Sequence, residues 1–382
     1  MKKDFFKDPK IKFPAYEPWI SNEDKKIVNK TLNQSMLTLG PQLEKFENDF
    51  CKYSNSKYAI AVSNCTAALH LSLMALGIKK DDEVIIPDLT FVADANAILA
   101  CNAKPVIADI NKENFFLSLS NIKKNITKKT KAIIPVHIYG QVCNIEEILD
   151  VAKDNNLKVI EDCAHAVGTF HKSKHVGTLG NTGCFSFYPT KILGTYGDGG
   201  FILTNNKEIY EKAKRIRFYG IEMENKSNKF FNKYYANENG VNSRLDEIQS
   251  GILNFKLKKI NEYINLRRKK ARLYLKLLNK TELILPKENN DNFHVYHLFT
   301  VFHEKRDAII KKLNNSRIYT RVIYPYPIKN MKPYQSLKSK KLINTNKISK
   351  GIFSLPLYPE LPDKYIVKVS NILKEILKKI ND

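Results

Sequence analysis

From about 57 to 205, short apolar runs alternate with stretches of helical spacing. Tyr58 to Val62 reads as a strand. Ser63-Asn64-Cys65-Thr66 leads from it into a helix from about Ala67 to Leu76, closed by Gly77. Glu83 to Pro87, Pro105 to Ala108, Ala132 to Val136 and Lys158 to Glu161 read as further strands, with helices around Val92 to Ala100 and over Ile145 to Asn155. Cys184 to Phe187 and Gly200 to Thr204 read as a strand pair around a loop that holds Lys191. Such alternation implies parallel strands with helices on both faces, the α/β class.

The pattern changes after Arg244. Leu245 to Leu278 carries Leu and Ile at helical spacing and predicts one or two long helices. The remainder predicts strands at Tyr296 to Phe302 and Arg321 to Tyr324, and a closing helix over Asp363 to Ile380. Asn-rich stretches at 222–239 and 288–292 read as surface loops. The expected division is a large domain over 1–250, whose first forty residues pack on either unit, and a smaller α+β domain over 251–382.

The 382 residues are 43% hydrophobic and 27% charged, as in a folded chain with a sizeable core. The net charge of +24 raises nucleic-acid binding as a reading. Its lysine and arginine runs are scattered, however, and no zinc-finger, bZIP or RNP-type motif accompanies them, so no nucleic-acid partner is expected. A positive field also suits an anionic substrate such as a nucleotide diphosphate. The six cysteines form no C-x-x-C pair and no zinc-like spacing with histidine. No metal is expected, and a reduced, cytoplasmic setting fits. Lys2 and Lys3 precede no apolar h-region, and no run of eighteen apolar residues occurs, so neither a signal peptide nor a membrane span is expected.

Four segments carry candidate chemistry, each at a strand end. Phe185 to Lys191, followed by Gly194, Gly197, Asp198, Gly199 and Gly200, sets one lysine in a glycine-rich loop. Schiff-base catalysis needs such a lysine, partly neutral and close to an aldehyde; a solvated surface turn is the plainer reading. Lys158 to His165 runs an apolar strand into Glu161 and Asp162. An acid there can pair with a pyridinium nitrogen, or simply cap a helix. Ser63 to His70 starts a helix at a strand end, which is either a phosphate site or ordinary capping. Phe91, in Pro87-Asp88-Leu89-Thr90-Phe91, is a ring for stacking or for the core. In chain order they supply a phosphate cradle, a stacking ring, a nitrogen partner and a Schiff-base lysine.

Nearly the whole chain, from about Phe13 to Leu373, resembles the DegT-type nucleotide-sugar aminotransferases. The resemblance rests on these segments and on Leu39-Gly40-Pro41, Val241 to Gln249, His294 to His297 and Ser354 to Pro359. It implies the type I pyridoxal-phosphate fold, with a mostly parallel mixed sheet flanked by helices and a smaller C-terminal domain. By the same resemblance, Lys191 holds the cofactor as a Schiff base and then moves a proton between cofactor and substrate carbons. Asp162 pairs with the pyridine nitrogen, His165 sits beside the ring oxygen where the family often has Gln, and Phe91 stacks on the ring. Thr66, Ala67 and Ser186 hold the phosphate. Asn242 reaches the neighbouring subunit's cofactor phosphate, which implies a homodimer with shared sites. Lys191 also separates the chain from the family's dehydratase branch, which has His there.

Two departures stand out. Cys65 replaces a frequent Gly, and Tyr324-Pro325-Tyr326-Pro327-Ile328-Lys329 ends in lysine where the family has histidine. Tyr324 and Lys329 are therefore the candidate substrate contacts, with Lys329 expected at the substrate diphosphate. The expected partners are glutamate as donor and a nucleotide-linked 6-deoxy keto sugar as acceptor. The motifs around Gly197 to Gly200 and Asn242 to Glu247 favour a 3-keto sugar, and Tyr16 to Ile20 with Pro87 to Ala97 a 4-keto one.

Overall fold

A computed structural model describes residues 20–222 and 234–381. Its centre is an eight-stranded sheet in the order Tyr58–Val62, Gly200–Thr204, Thr182–Ser186, Lys158–Asp162, Thr130–Ile133, Glu83–Pro87, Lys104–Ala108 and Lys338–Ser339. Gly200–Thr204 is antiparallel to both its neighbours, and every other strand runs one way. The carboxyl ends of those strands therefore gather along one rim, where ligands of open α/β sheets bind.

Alternation along the strands explains the layers. Ile60, Val62, Val84, Ile86, Ile107, Ile160, Cys184 and Ile202 pack on one face with the helices Cys65–Ala75 and Ala93–Ala100. Ala59, Ala61, Ile85, Val106, Ile133, Val159, Phe185 and Phe201 pack on the other, against Phe46 and Phe50 of the helix Pro41–Ser54. A third core joins the helices Ile260–Leu278, Arg306–Asn315 and Asp363–Asn381 to the strand pair Phe299–Phe302 and Ile352–Leu355. The chain then crosses back, because Ile328, Tyr334 and Leu342 bury in the large-sheet core and Lys338–Ser339 adds to its edge.

Several boundaries differ from expectation. The first helix of the sheet starts at Cys65, because Asn64 caps it by accepting from the Ala67 N–H at 2.9 Å. The strand expected to reach Val136 ends at Ile133, and Val136 makes only an isolated bridge to Asp162. Leu245 to Leu278 resolves into two helices, Glu247–Leu257 and Ile260–Leu278. Arg321 to Tyr324 forms no strand beyond a bridge from Arg321 to Ser354; Pro325 and Pro327 follow it, and proline cannot donate to a ladder. Residues 223–233 of the first Asn-rich stretch lie outside the described residues. Among the described residues all six cysteines are free, and no helix is long and apolar enough to cross a membrane.

Candidate active site

Two neighbouring parallel strands deliver the central pair. Lys158–Asp162 ends in Asp162, and Thr182–Ser186 leads through Phe187 to Pro189 into the turn of Lys191, whose N–H donates to the Tyr188 carbonyl at 2.8 Å. Asp162 is 5% exposed, and its Oδ1 accepts from the Ala164 N–H at 2.8 Å. Burial raises its pKa above the ordinary value, against the pull of Ala164 and of the nearby Lys191. Burial pushes the Lys191 amine down to about 8, while the electrostatics of Cys65 and Asp162 oppose the drop. A lysine tuned in this way is neutral in roughly a tenth of molecules at neutral pH, against fewer than about one in a thousand for a solvated one.

The expected phosphate end is the start of the helix at Cys65. Gly200 meets it so closely that a Cβ there would lie 2.2 Å from the Asn64 carbonyl carbon and 2.7 Å from the Cys65 nitrogen. Only glycine fits, which explains the last residue of Gly197-Asp198-Gly199-Gly200. Ala67, expected among the phosphate holders, gives its N–H to Asn64 instead. The helix start thus keeps the Cys65 and Thr66 N–H groups for an anion, with the Thr66 hydroxyl beside them. Ser186 accepts weakly from the Tyr188 N–H at 3.3 Å. Asn242 is exposed, and its neighbour Ser243 binds Ser63 hydroxyl to hydroxyl at 2.9 Å, which ties that segment to the same strand end.

Aromatic and imidazole rings form the wall. Phe91 is 55% exposed and stacks on Tyr324 with centroids 5.9 Å apart. Tyr324 in turn stacks on His165 at 6.2 Å, and its hydroxyl lies 3.5 Å from His165 Nε2. His165 Nδ1 accepts from the Tyr139 N–H at 3.2 Å, while burial and the charge of Lys191 hold the ring's basicity well below normal. His165 is therefore neutral with its proton on Nε2. Lys329, expected at the substrate diphosphate, donates its ammonium to the carbonyls of Gln335 and Leu337 and its N–H to Asp88 Oδ1. These bonds lock the segment that crosses back over the sheet.

This set of residues fits pyridoxal phosphate: a depressed lysine beside a buried carboxyl, an exposed ring, and a helix start freed of side chains by Gly200. The chain matches the DegT/DnrJ/EryC1/StrS aminotransferase family over residues 18–374. It belongs to that family. It is 35% identical to a GDP-perosamine synthase of Escherichia coli O157:H7, across 95% of this chain and 98% of that one. It is also 35% identical to a dTDP-3-amino-3,4,6-trideoxy-alpha-D-glucose transaminase of Micromonospora megalomicea, across 92% and 93%. A Geobacillus stearothermophilus relative at 38%, across 90% and 92%, is named a pleiotropic regulatory protein. Among solved structures, S. venezuelae DesV superposes with a TM-score of 0.87 at 32% identity, across 92% and 94% of the two chains. Bacillus subtilis NtdA, with bound pyridoxamine phosphate (PMP), gives 0.83 at 32%, across 94% and 83%.

As a DegT/DnrJ/EryC1/StrS aminotransferase, the chain is a pyridoxal-phosphate enzyme of the type I fold, as expected. Three site residues were given no role by sequence reasoning. Asp94 is fully buried beside Asp162, but in sequence it is an ordinary first-turn acid of the helix Ala93–Ala100. Tyr139 and His297 flank His165, the latter with ring centroids 4.6 Å apart, and neither belongs to a motif with it in the sequence.

Proposed function

We propose that the chain moves the amino group of glutamate to the keto group of a nucleotide-linked 6-deoxy sugar, with C3 as the favoured carbon. The convergence of Lys191 and Asp162 at adjacent strand ends, with Lys191 pushed down to about 8, carries this reading. Names among the relatives support the substrate class: two transaminases named for dTDP-3-amino sugars and an aminotransferase of UDP-N-acetyl-3-dehydro-alpha-D-glucosamine stand beside the perosamine synthases.

When bound, pyridoxal phosphate supplies an aldehyde that condenses with amines and a ring that accepts an electron pair. The chain's own residues do the rest. Lys191 takes and returns the proton at Nζ, which its depressed basicity permits near neutral pH. Asp162 offers a carboxylate to the ring nitrogen, and His165 offers its Nε2 proton to the ring oxygen. Thr66, Ser186 and the helix start neutralise the phosphate, and Phe91 covers the ring face. Tyr324 borders the space above and meets the sugar. Asn242, exposed on this chain, completes the site of a second copy in a homodimer. Lys329 supports the Tyr324 segment through Gln335 and Leu337 rather than meeting the diphosphate.

The test is incubation of the loaded enzyme with glutamate and a panel of 3-keto and 4-keto sugar nucleotides, followed by product mass and NMR. The expected product has gained nitrogen at C3 while 2-oxoglutarate appears. A product that has lost water without gaining nitrogen contradicts the reading. The Geobacillus relative's name raises a non-catalytic regulator as the alternative. A cofactor absorbance that glutamate leaves unchanged would favour it.

A further inference from the structure

A second carboxyl stands behind Asp162. Asp94, from the helix Ala93–Ala100, is 0% exposed. Its Oδ2 accepts from the Thr90 hydroxyl at 2.6 Å, and its Oδ1 is buried without a hydrogen-bond partner. The Asp162 carboxyl lies within side-chain hydrogen-bonding reach of it. Asp162 has the Ala164 N–H on Oδ1. Two ionised carboxylates facing each other would be acceptors only, with no donor between them.

The surroundings decide the charge. Cys65, Cys184 and Tyr324 also face the pair; burial raises the pKa of each, so all three stay neutral. Lys191, and after it His137, pull Asp162 towards its ionised form. The helix start and Thr90 favour an ionised Asp94. Against them stand complete burial and a like charge at hydrogen-bond range, which raise its pKa well above normal. The helix dipole is the weaker effect, and two such carboxyls do not both ionise.

We infer that Asp94 keeps a proton on Oδ1 and donates it to Asp162, so that the two carboxyls form one acid pair with a single negative charge behind the ring nitrogen. Asp94 is thus the positioning residue for Asp162. It fixes the rotamer of the carboxylate and limits its charge to the one unit that a protonated ring nitrogen balances. The effect on the cofactor rests on the proposed placement of Asp162 at that nitrogen; the shared proton does not.

Infrared spectra of the apoenzyme near neutral pH test the proton directly. A protonated-carboxyl C=O band is expected in the wild type and lost in Asp94→Asn; a wild-type spectrum without it overturns the inference. Equilibrium dialysis of pyridoxal phosphate tests the positioning. Asp94→Asn keeps a donor toward Asp162 and should bind within about threefold of wild type, whereas Asp94→Ala should bind roughly tenfold more weakly. Equal affinity of Asp94→Ala and wild type, or an Asn variant as weak as the Ala variant, overturns it. Melting curves of both apo variants confirm that folded protein is compared. In the same assay, an Asp162→Asn variant that binds the cofactor like wild type would overturn the placement of Asp162 and the effect on the cofactor, leaving the infrared band to decide the shared proton.

Discussion

Glu161 and Asp162 are consecutive acids on one strand, and the pleat turns them to opposite faces of the sheet. Glu161 is saturated. Its Oε1 accepts from the Leu179 and Gly180 N–H groups at 2.8 and 2.7 Å, and its Oε2 from the Gly177 N–H at 2.8 Å and His137 Nε2 at 3.0 Å. Burial alone would raise its pKa, but His137 and these N–H groups hold it below normal. His137 Nδ1 is occupied as well, by the Cys143 N–H at 3.2 Å. Cys163 also lies near, yet the donors already present use both oxygens of Glu161. Asp162 has one backbone donor and a second acid for company, and its pKa is raised. Saturation marks an acid that holds loops together. A deficit of donors marks one that has work to do on a ligand.

Exchanging residues on each side should break the comparison in different ways. The largest effect expected is from Lys191→Ala: a fall in transamination of at least ~10⁴-fold, with the fold intact by melting curve, since the group proposed to carry the proton is gone. Glu161→Ala should instead lower stability by about 3–5 kcal/mol in denaturant unfolding, because three N–H groups and His137 lose their acceptor together. Asp162→Asn should cost about 10²-fold in turnover while the apoenzyme melts no lower, because a poorly solvated carboxylate has been replaced by a neutral group.

The smallest effect sharpens the sign. The Lys191 amine falls from 10.5 to about 8 on folding, so between those pH values the folded state binds fewer protons than the unfolded one. Its penalty is fully present below about pH 8, fades as pH rises towards 10.5 and is absent above. Lys191→Met should therefore stabilise the apoenzyme at pH 7 by about 1–3 kcal/mol, a gain that disappears above pH 10.5. A gain independent of pH would show that packing, not charge, is responsible.

Much of the candidate site was legible because its signals are local. Lys191 follows a strand within a glycine loop, and Asp162 closes an apolar run, so each declares itself within a few residues. The alternation that places Ile160 on one face and Val159 on the other was legible for the same reason. Asp94 was not, because its meaning comes from Asp162, which is far off in sequence and adjacent only once the sheet has formed. Lys329 looked free in the sequence; its carbonyl partners belong to a turn with no periodic signature. Ile352–Leu355 escaped because a four-residue strand reads as such only beside Phe299–Phe302, its distant partner. Arg321 to Tyr324 misled in the opposite sense, having β-favouring residues without a ladder.

Borohydride reduction of the cofactor-loaded protein, followed by digestion and peptide mass spectrometry, tests the central claim most directly. The account predicts a pyridoxyl group attached to Lys191. A label on a different lysine, or a chain that takes up the cofactor yet yields no labelled lysine after reduction, would contradict it.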